Sequence, residues 1–130
     1  MGCASVTPVS AARAALAYAA CIGLDPEGKA TPESAASAGE SFALKTDTGS
    51  LVYTIAPTPG GGCWVHAAAG QGAGMTEQGL RAIERQAQGL GLRAVAFQTM
   101  RRGLVRKAQA LGYRVAGRVG CGVILEKYIR

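Results

Sequence analysis

The sequence predicts an α/β (α+β) fold, a single domain over residues 1–130 with a mixed central sheet of six to seven strands flanked by about four helices. Three observations carry this reading. Short runs rich in β-branched and aromatic residues recur along the chain, separated by Gly, Pro, Asp and Ser. Two later segments repeat apolar residues at helical spacing. The first of these joins two strand-like runs, and a strand–helix–strand crossover favours a parallel pair, whereas the short connections elsewhere favour antiparallel hairpins.

In chain order, Ala4–Val6 is a short first strand, and Pro8 with Ser10 introduces a helix reaching about Cys21, with Ala12, Leu16 and Ala20 as its apolar stripe. Residues 23–39 hold Pro26, Gly28, Pro32 and Gly39 and read as a connection, with one helical turn from Pro32. Ser41–Thr46 and Leu51–Ala56 form a hairpin across Asp47–Ser50, and Cys63–Ala69 pairs back on it after the turn-rich Pro57–Gly62. Leu80, Ile83, Ala87 and Leu90 then mark an amphipathic helix ended by Gly89 and Gly91. Ala94–Phe97 reads as a buried strand, and Leu104, Ala108 and Leu111 as a helix stopped by Gly112. Tyr113–Arg118 and Gly122–Tyr128 close the chain as a second hairpin.

Between the strand Cys63–Ala69 and the amphipathic helix lies Ala67–Thr76, a stretch carrying Gly70, Gly72 and Gly74. Glycines free the backbone for positive φ and let a ligand approach the main chain. Thr76 is the expected cap of the helix. The first N–H groups of that helix lack intrahelical partners and, with the helix dipole, suit a phosphate or pyrophosphate.

Charge is divided along the chain. Residues 1–84 carry four basic and seven acidic side chains, whereas the remainder carries ten basic ones against Glu126 alone. Arg101, Arg102, Arg106 and Lys107 cluster at the helix after Ala94–Phe97. Such a field suits a nucleotide-bearing cofactor, a nucleic acid or an acidic protein surface, and charge alone does not choose among them.

Cys3, Cys21, Cys63 and Cys121 are scattered and accompanied by one histidine, His66. That spacing favours reduced, mostly packed thiols in a cytoplasmic setting over a disulfide framework, and it leaves a metal site without paired ligands. The apolar run Ala14–Ile22 is too short for a membrane span, and Val6 stands where a myristoylation pattern needs Ser or Thr. Strand-forming residues at the end of the chain could complete the sheet of a homodimer.

The element order, with Gln71-Gly-Ala-Gly74 after the fourth strand and Leu111-Gly112-Tyr113 closing the last helix, resembles the GNAT superfamily of acyl-CoA-dependent N-acyltransferases. The likeness spans nearly the whole chain. Gln71 and Gly74 fit the family pattern of Gln or Arg, two variable residues, Gly, one variable residue, then Gly or Ala; Thr76 departs from its last position. The resemblance implies a splayed cleft between the fourth and fifth strands that takes acetyl-CoA or another acyl-CoA. Backbone groups of Ala67, Ala68 and Ala69 would meet the pantetheine amides. The N–H groups of Gln71, Gly72, Ala73, Gly74 and Met75, with Thr76 beside them, would meet the pyrophosphate. Arg101, Arg102, Arg106 and Lys107 would meet the adenosine phosphates, or a second anionic partner. A backbone amide of the fourth strand would stabilise the thioester oxyanion.

Acyl transfer also needs a base for the amine and an acid for the thiolate. The family's acid tyrosine falls at Ala108 and its helix-start asparagine at Arg101, so substitutes are required. Tyr113 and Tyr128 are the candidate acids, although Tyr113 also fits a packed aromatic position. His66 is the candidate base. Strict strand alternation would put it with Trp64 and Ala68, opposite Cys63, Val65 and Ala67. Glu40 and Ser41 are candidates for the acceptor side. Three functions follow from these features. The first is an N-acyltransferase acting on an unidentified amine. The second is a catalytically degenerate GNAT-like part of a larger assembly such as a viral particle. The third is a nucleic-acid binder or nucleobase-modifying protein using the basic C-terminal half.

Overall fold

The computed structural model describes residues 4–19 and 31–129. Cys3, Cys21 and the N-terminal Met1-Gly2 lie outside those residues, as does the predicted continuation of the first helix past Ala19. Seven strands form one sheet in the order β1-β2-β3-β4-β5-β7-β6. They are β1 (Ser5–Val9), β2 (Glu40–Lys45), β3 (Gly49–Pro57), β4 (Gly62–Gly72), β5 (Ala94–Thr99), β6 (Arg114–Val119) and β7 (Gly122–Tyr128). The helices are α1 (Ala11–Ala19), α2 (Pro32–Ser37), α3 (Met75–Gly89) and α4 (Arg102–Ala110). β1 runs through Pro8, which an edge strand tolerates because it need not donate on its outer side.

The two sheet faces carry separate cores. On one face α3 and α4 cover Leu44, Tyr53, Ile55, Cys63, Val65, Val95, Phe97 and Leu125. On the other, Ala14 and Tyr18 of α1 and Ala36 of α2 pack over Val52, Ala67 and Ala69. The buried stripe of α1 is thus Ala14 and Tyr18, one turn apart, and the predicted stripe is displaced, with Leu16 78% exposed. Small side chains win because they let the short helix lie close to a sheet face that itself carries alanines. α2 opens with a capping box in which Thr31 and Ser34 exchange bonds, followed by Pro32 in the first turn.

β1 to β4 form an antiparallel meander. β4 and β5 are the parallel pair that the crossover through α3 predicts, and β5 then pairs antiparallel with β7. The β4–β5 pairing covers only Gly62–Trp64 against Ala94–Ala96. From Val65 to Gly72, β4 continues with β3 on one side and no strand on the other.

β4 is longer than its predicted bounds. Residues 70–72 are strand and not loop, because they pair with Gly49–Leu51 of β3. The strand-to-helix turn shrinks to Ala73 and Gly74, and Gly74 at φ 70° is the N-cap of α3. Thr76 sits inside the first turn and makes no cap, so that expectation is corrected. Leu90, expected to be buried, is 67% exposed beyond the end of α3.

Candidate functional site

The divergence of β4 from β5 opens a cleft of about 760 Å³. Its floor is Val65, Ile83 and Phe97, its walls are the free side of β4 and the start of α3, and Gln98, Thr99 and the start of α4 close the far side. Tyr18, Thr31, Pro32 and Ala35 border its other end. β4 therefore offers main-chain N–H and C=O groups to the cleft where a sheet would normally use them.

A register shift between Thr54 and Ile55 shapes this wall. Ile55 pairs with Val65 and Thr54 with Ala67, which leaves His66 as the extra residue of a β-bulge. Directly paired residues share a face, so Val65 joins the core under α3 while Ala67 joins the one under α1 and α2. The expected alternation, with Val65 and Ala67 on one side, is overturned. The bulge turns His66 outward into the cleft, where it is exposed. Desolvation nevertheless lowers its pKa from the ordinary 6.5, which favours the neutral, proton-accepting imidazole at neutral pH.

At the mouth of the cleft, Gly72 at φ 119° and Gly74 at φ 70° make the turn into α3. A side chain at Gly72 would collide with the Thr48 carbonyl in the β2–β3 turn, so this strand end is packed tightly against its neighbour. The turn is further tied by Thr48, whose hydroxyl donates to the Ala73 carbonyl at 2.9 Å and accepts from Gln78 Nε2 at 3.2 Å. The first backbone bond of α3 is Gln78 N–H to Gly74 O. No side chain caps α3, and the N–H groups before Gln78 are oriented as the helix start dictates.

Of the residues singled out in the sequence, the cleft brings together His66, Ala67, Ala68, Ala69, Gln71, Gly72, Gly74, Met75, Thr76 and Arg101. Arg101 is the N-cap residue of α4, held by its N–H bond to Thr99 Oγ1 at 3.1 Å. Ala73, Arg102 and Arg106 lie outside the lining. The helical period explains the last two: Gly103, Leu104 and Lys107 face the cleft, so Arg102 and Arg106 lie on the exposed side of α4. Glu40 and Ser41 are also outside it.

Tyr113 is not at the cleft. It is buried against Phe97, with ring centroids 5.6 Å apart, and its hydroxyl donates to Glu84 Oε2 at 2.9 Å. Lys127 Nζ holds the other Glu84 oxygen at 3.0 Å. Burial, reinforced by the Glu84 charge and hydrogen bond, pushes the Tyr113 pKa far up, so it is a structural donor. Tyr128 is 61% exposed, carries Arg114 over its ring at 5.2 Å, and is likewise absent from the cleft lining. Ala108 is fully buried in the core under α3 and α4.

Cys63 is buried, and desolvation raises its pKa to about 11, so it stays a packed thiol. Cys121, expected to be packed, is exposed in the β6–β7 turn with its Sγ 3.5 Å from Met100 Sδ. Among the described residues, no group of three His, Cys, Asp or Glu side chains comes together, and no helix is long and apolar enough to cross a membrane. Sequence reasoning missed Tyr18 and Thr99 as cleft residues. Only the one-turn spacing of Ala14 and Tyr18 carried a signal.

Seven strands in this order, with a parallel β4–β5 pair that parts beside a glycine turn, give the chain the fold of solved acetyltransferases of the GNAT family. The chain is similar to the IAA acetyltransferase from Bacillus cereus ATCC 14579, with a TM-score of 0.70, 16% identity, and 97% of this chain and 99% of that one covered. An N-acetyltransferase from Staphylococcus aureus Mu50 gives a TM-score of 0.64 at 14% identity, covering 98% and 99%. The aminoglycoside 6'-acetyltransferase type Ii gives 0.63 at 11%, covering 97% of each chain. No protein-family model and no curated protein matches the sequence.

Proposed function

We propose that the chain is an acyl-CoA-dependent N-acyltransferase that transfers an acetyl group to an amine. The observation that carries this reading is the parting of β4 from β5 next to an uncapped helix start. One side of the cleft has amide groups for the pantetheine arm, from Ala67 to Ala69. At its mouth the N–H groups at the start of α3, around Gly74 and Met75, would receive a pyrophosphate, because a helix start favours an anion. Arg101 and Lys107, both exposed and both lining the cleft, supply positive charge for the remaining phosphate.

In the reaction the amine nitrogen attacks the thioester carbonyl carbon, the C–S bond breaks, and the amide forms. A β4 amide at the bulge stabilises the oxyanion in between. The proton released from the amine goes to His66, directly or through one water. With Ala108 buried and Tyr113 committed to Glu84, the thiolate takes its proton from solvent. That lack of a positioned acid favours a second reading, a GNAT-fold protein that binds acyl-CoA without efficient turnover.

Calorimetric titration with acetyl-CoA tests the shared first step, and release of the CoA thiol in the presence of an amine panel separates the two readings. Saturable binding with thiol release supports the transferase. Binding without release supports the second reading, and no heat at millimolar acetyl-CoA removes both.

A further inference from the structure

The register shift that shapes the cleft wall is covered by a buried chain of hydroxyl groups. Tyr18 Oη lies 2.6 Å from Thr54 Oγ1 and 3.5 Å from the Ala67 carbonyl oxygen, so it touches both strands where the bulge begins. Thr54 Oγ1 lies 2.8 Å from Ser41 Oγ, which lies 3.4 Å from the Ala36 carbonyl oxygen of α2; with Tyr18 donating to the Ala67 carbonyl, Thr54 donates to Tyr18 and Ser41 to Thr54. Tyr18, Thr54 and Ser41 are 5%, 0% and 6% exposed. Three strands and two helices thus meet at the one irregular point of β4.

We propose that Tyr18 is a positioning residue that fixes the peptide between Ala67 and Ala68 for acyl transfer. A trans peptide points its C=O and the following N–H in opposite directions. With Tyr18 Oη between Thr54 Oγ1 and the Ala67 oxygen, that oxygen is drawn to the β3 side, and the Ala68 N–H then faces the other side, where β4 has no strand partner and the cleft lies. An oxyanion donor acts only when its direction is set before the charge develops. Tyr18 acts through the backbone, and its ring, packed with Ala14 and Ala36, makes α1 the lever that holds the bulge.

This inference rests on the acyltransferase reading for its catalytic consequence but not for its geometry. Tyr18→Phe keeps the ring and removes the hydroxyl. Thr54→Val keeps the shape and removes the central oxygen. Thr54→Ser restores that oxygen. The expected result is a fall in kcat of about tenfold for Tyr18→Phe and Thr54→Val, with the KM for acetyl-CoA nearly unchanged and Thr54→Ser close to wild type. In backbone amide NMR of the unliganded protein, the Ala68 resonance shifts in Tyr18→Phe. An unmoved Ala68 amide would overturn the proposal, as would parallel losses in kcat, KM and melting temperature. An inert wild-type protein whose Ala68 amide still moves in Tyr18→Phe would sink the acyltransferase reading and keep the clamp.

Discussion

Trp64 and Ala96 are the last residues at which β4 and β5 are paired. The cleft opens beyond that point. The bulge follows two residues later, the free side of β4 follows the bulge, and the glycine turn aims α3 across the opening. Had the strands stayed paired past Trp64, the main-chain groups on that side of β4 would be spent on β5 and the cleft would close.

The glycine turn separates fold from binding at two nearby positions. Gly72 combines φ 119° with a backbone neighbour in contact range, whereas Gly74 has φ 70° and only Gln78 Nε2 at 3.5 Å. Gly72→Ala should cost about 1–3 kcal/mol, because strained φ and collision add. Gly74→Ala should cost about 1–2 kcal/mol from the left-handed conformation alone, leaving the protein folded. Its Cβ stands at the start of α3, so acetyl-CoA affinity should drop. Thermal melts and calorimetry on both variants check this order; equal melting temperatures would contradict it.

His66 gives the expected pH dependence. Its folded pKa lies below 6.5, so above that pH the imidazole is already neutral. Turnover should be flat through neutral pH and fall along an acid limb centred below 6.5, and His66→Gln should lower the plateau and abolish that limb. Stability has the same sign. The unfolded chain binds the proton more readily, so folding loses this contribution as pH falls from 6.5 through the lowered value. A rate profile from pH 5 to 9 decides the matter, and a limb unchanged in His66→Gln would clear the histidine of a base role.

The tyrosines and alanine of the core side carry a third expectation. Tyr113→Phe removes a bond to Glu84 and should cost about 1–2 kcal/mol of stability while leaving kcat near wild type. Installing a tyrosine where the GNAT pattern carries its acid, by Ala108→Tyr, should not help. Ala108 is fully buried, and overpacking there should cost about 1–3 kcal/mol or more. Urea denaturation with parallel thiol-release kinetics distinguishes these effects. A faster and equally stable Ala108→Tyr protein would show that side chain reaching the cleft.

Legibility in the sequence followed the range of the interactions involved. Strand runs, the α3 stripe of Leu80, Ile83 and Ala87, and the crossover between β4 and β5 are set by local periodicity and chain connection, and these were readable. The bulge at His66 was not. It depends on Thr54, a residue of another strand, and one extra residue there reverses the faces of everything after it. The pairing of Gly70–Gly72 with β3 hid the true strand end for the same reason, because glycine-rich composition reads as loop. Tyr18 was missed because Leu16 is the larger aliphatic residue in α1, yet it is the alanine-covered sheet that decides which side of the helix packs.

The basic residues around α4 divide into two groups that charge alone does not separate. Arg101 and Lys107 line the cleft, whereas Arg102 and Arg106 are exposed and outside it. If a phosphate of acyl-CoA is what the first pair meets, Arg101→Ala and Lys107→Ala should each weaken binding about threefold to tenfold, roughly a kilocalorie per contact. Arg102→Ala and Arg106→Ala should change it by less than about twofold, since exposed charges at a distance are screened at physiological salt. The loss in the first pair should shrink as salt rises, because the wild-type contact is itself weakened. Dephospho-CoA provides the internal control, because it lacks the phosphate on the ribose. With that ligand the Arg101→Ala and Lys107→Ala penalties should fall toward one. Four equal penalties would mean that the basic half acts only as a general field, with no contact built at the start of α4.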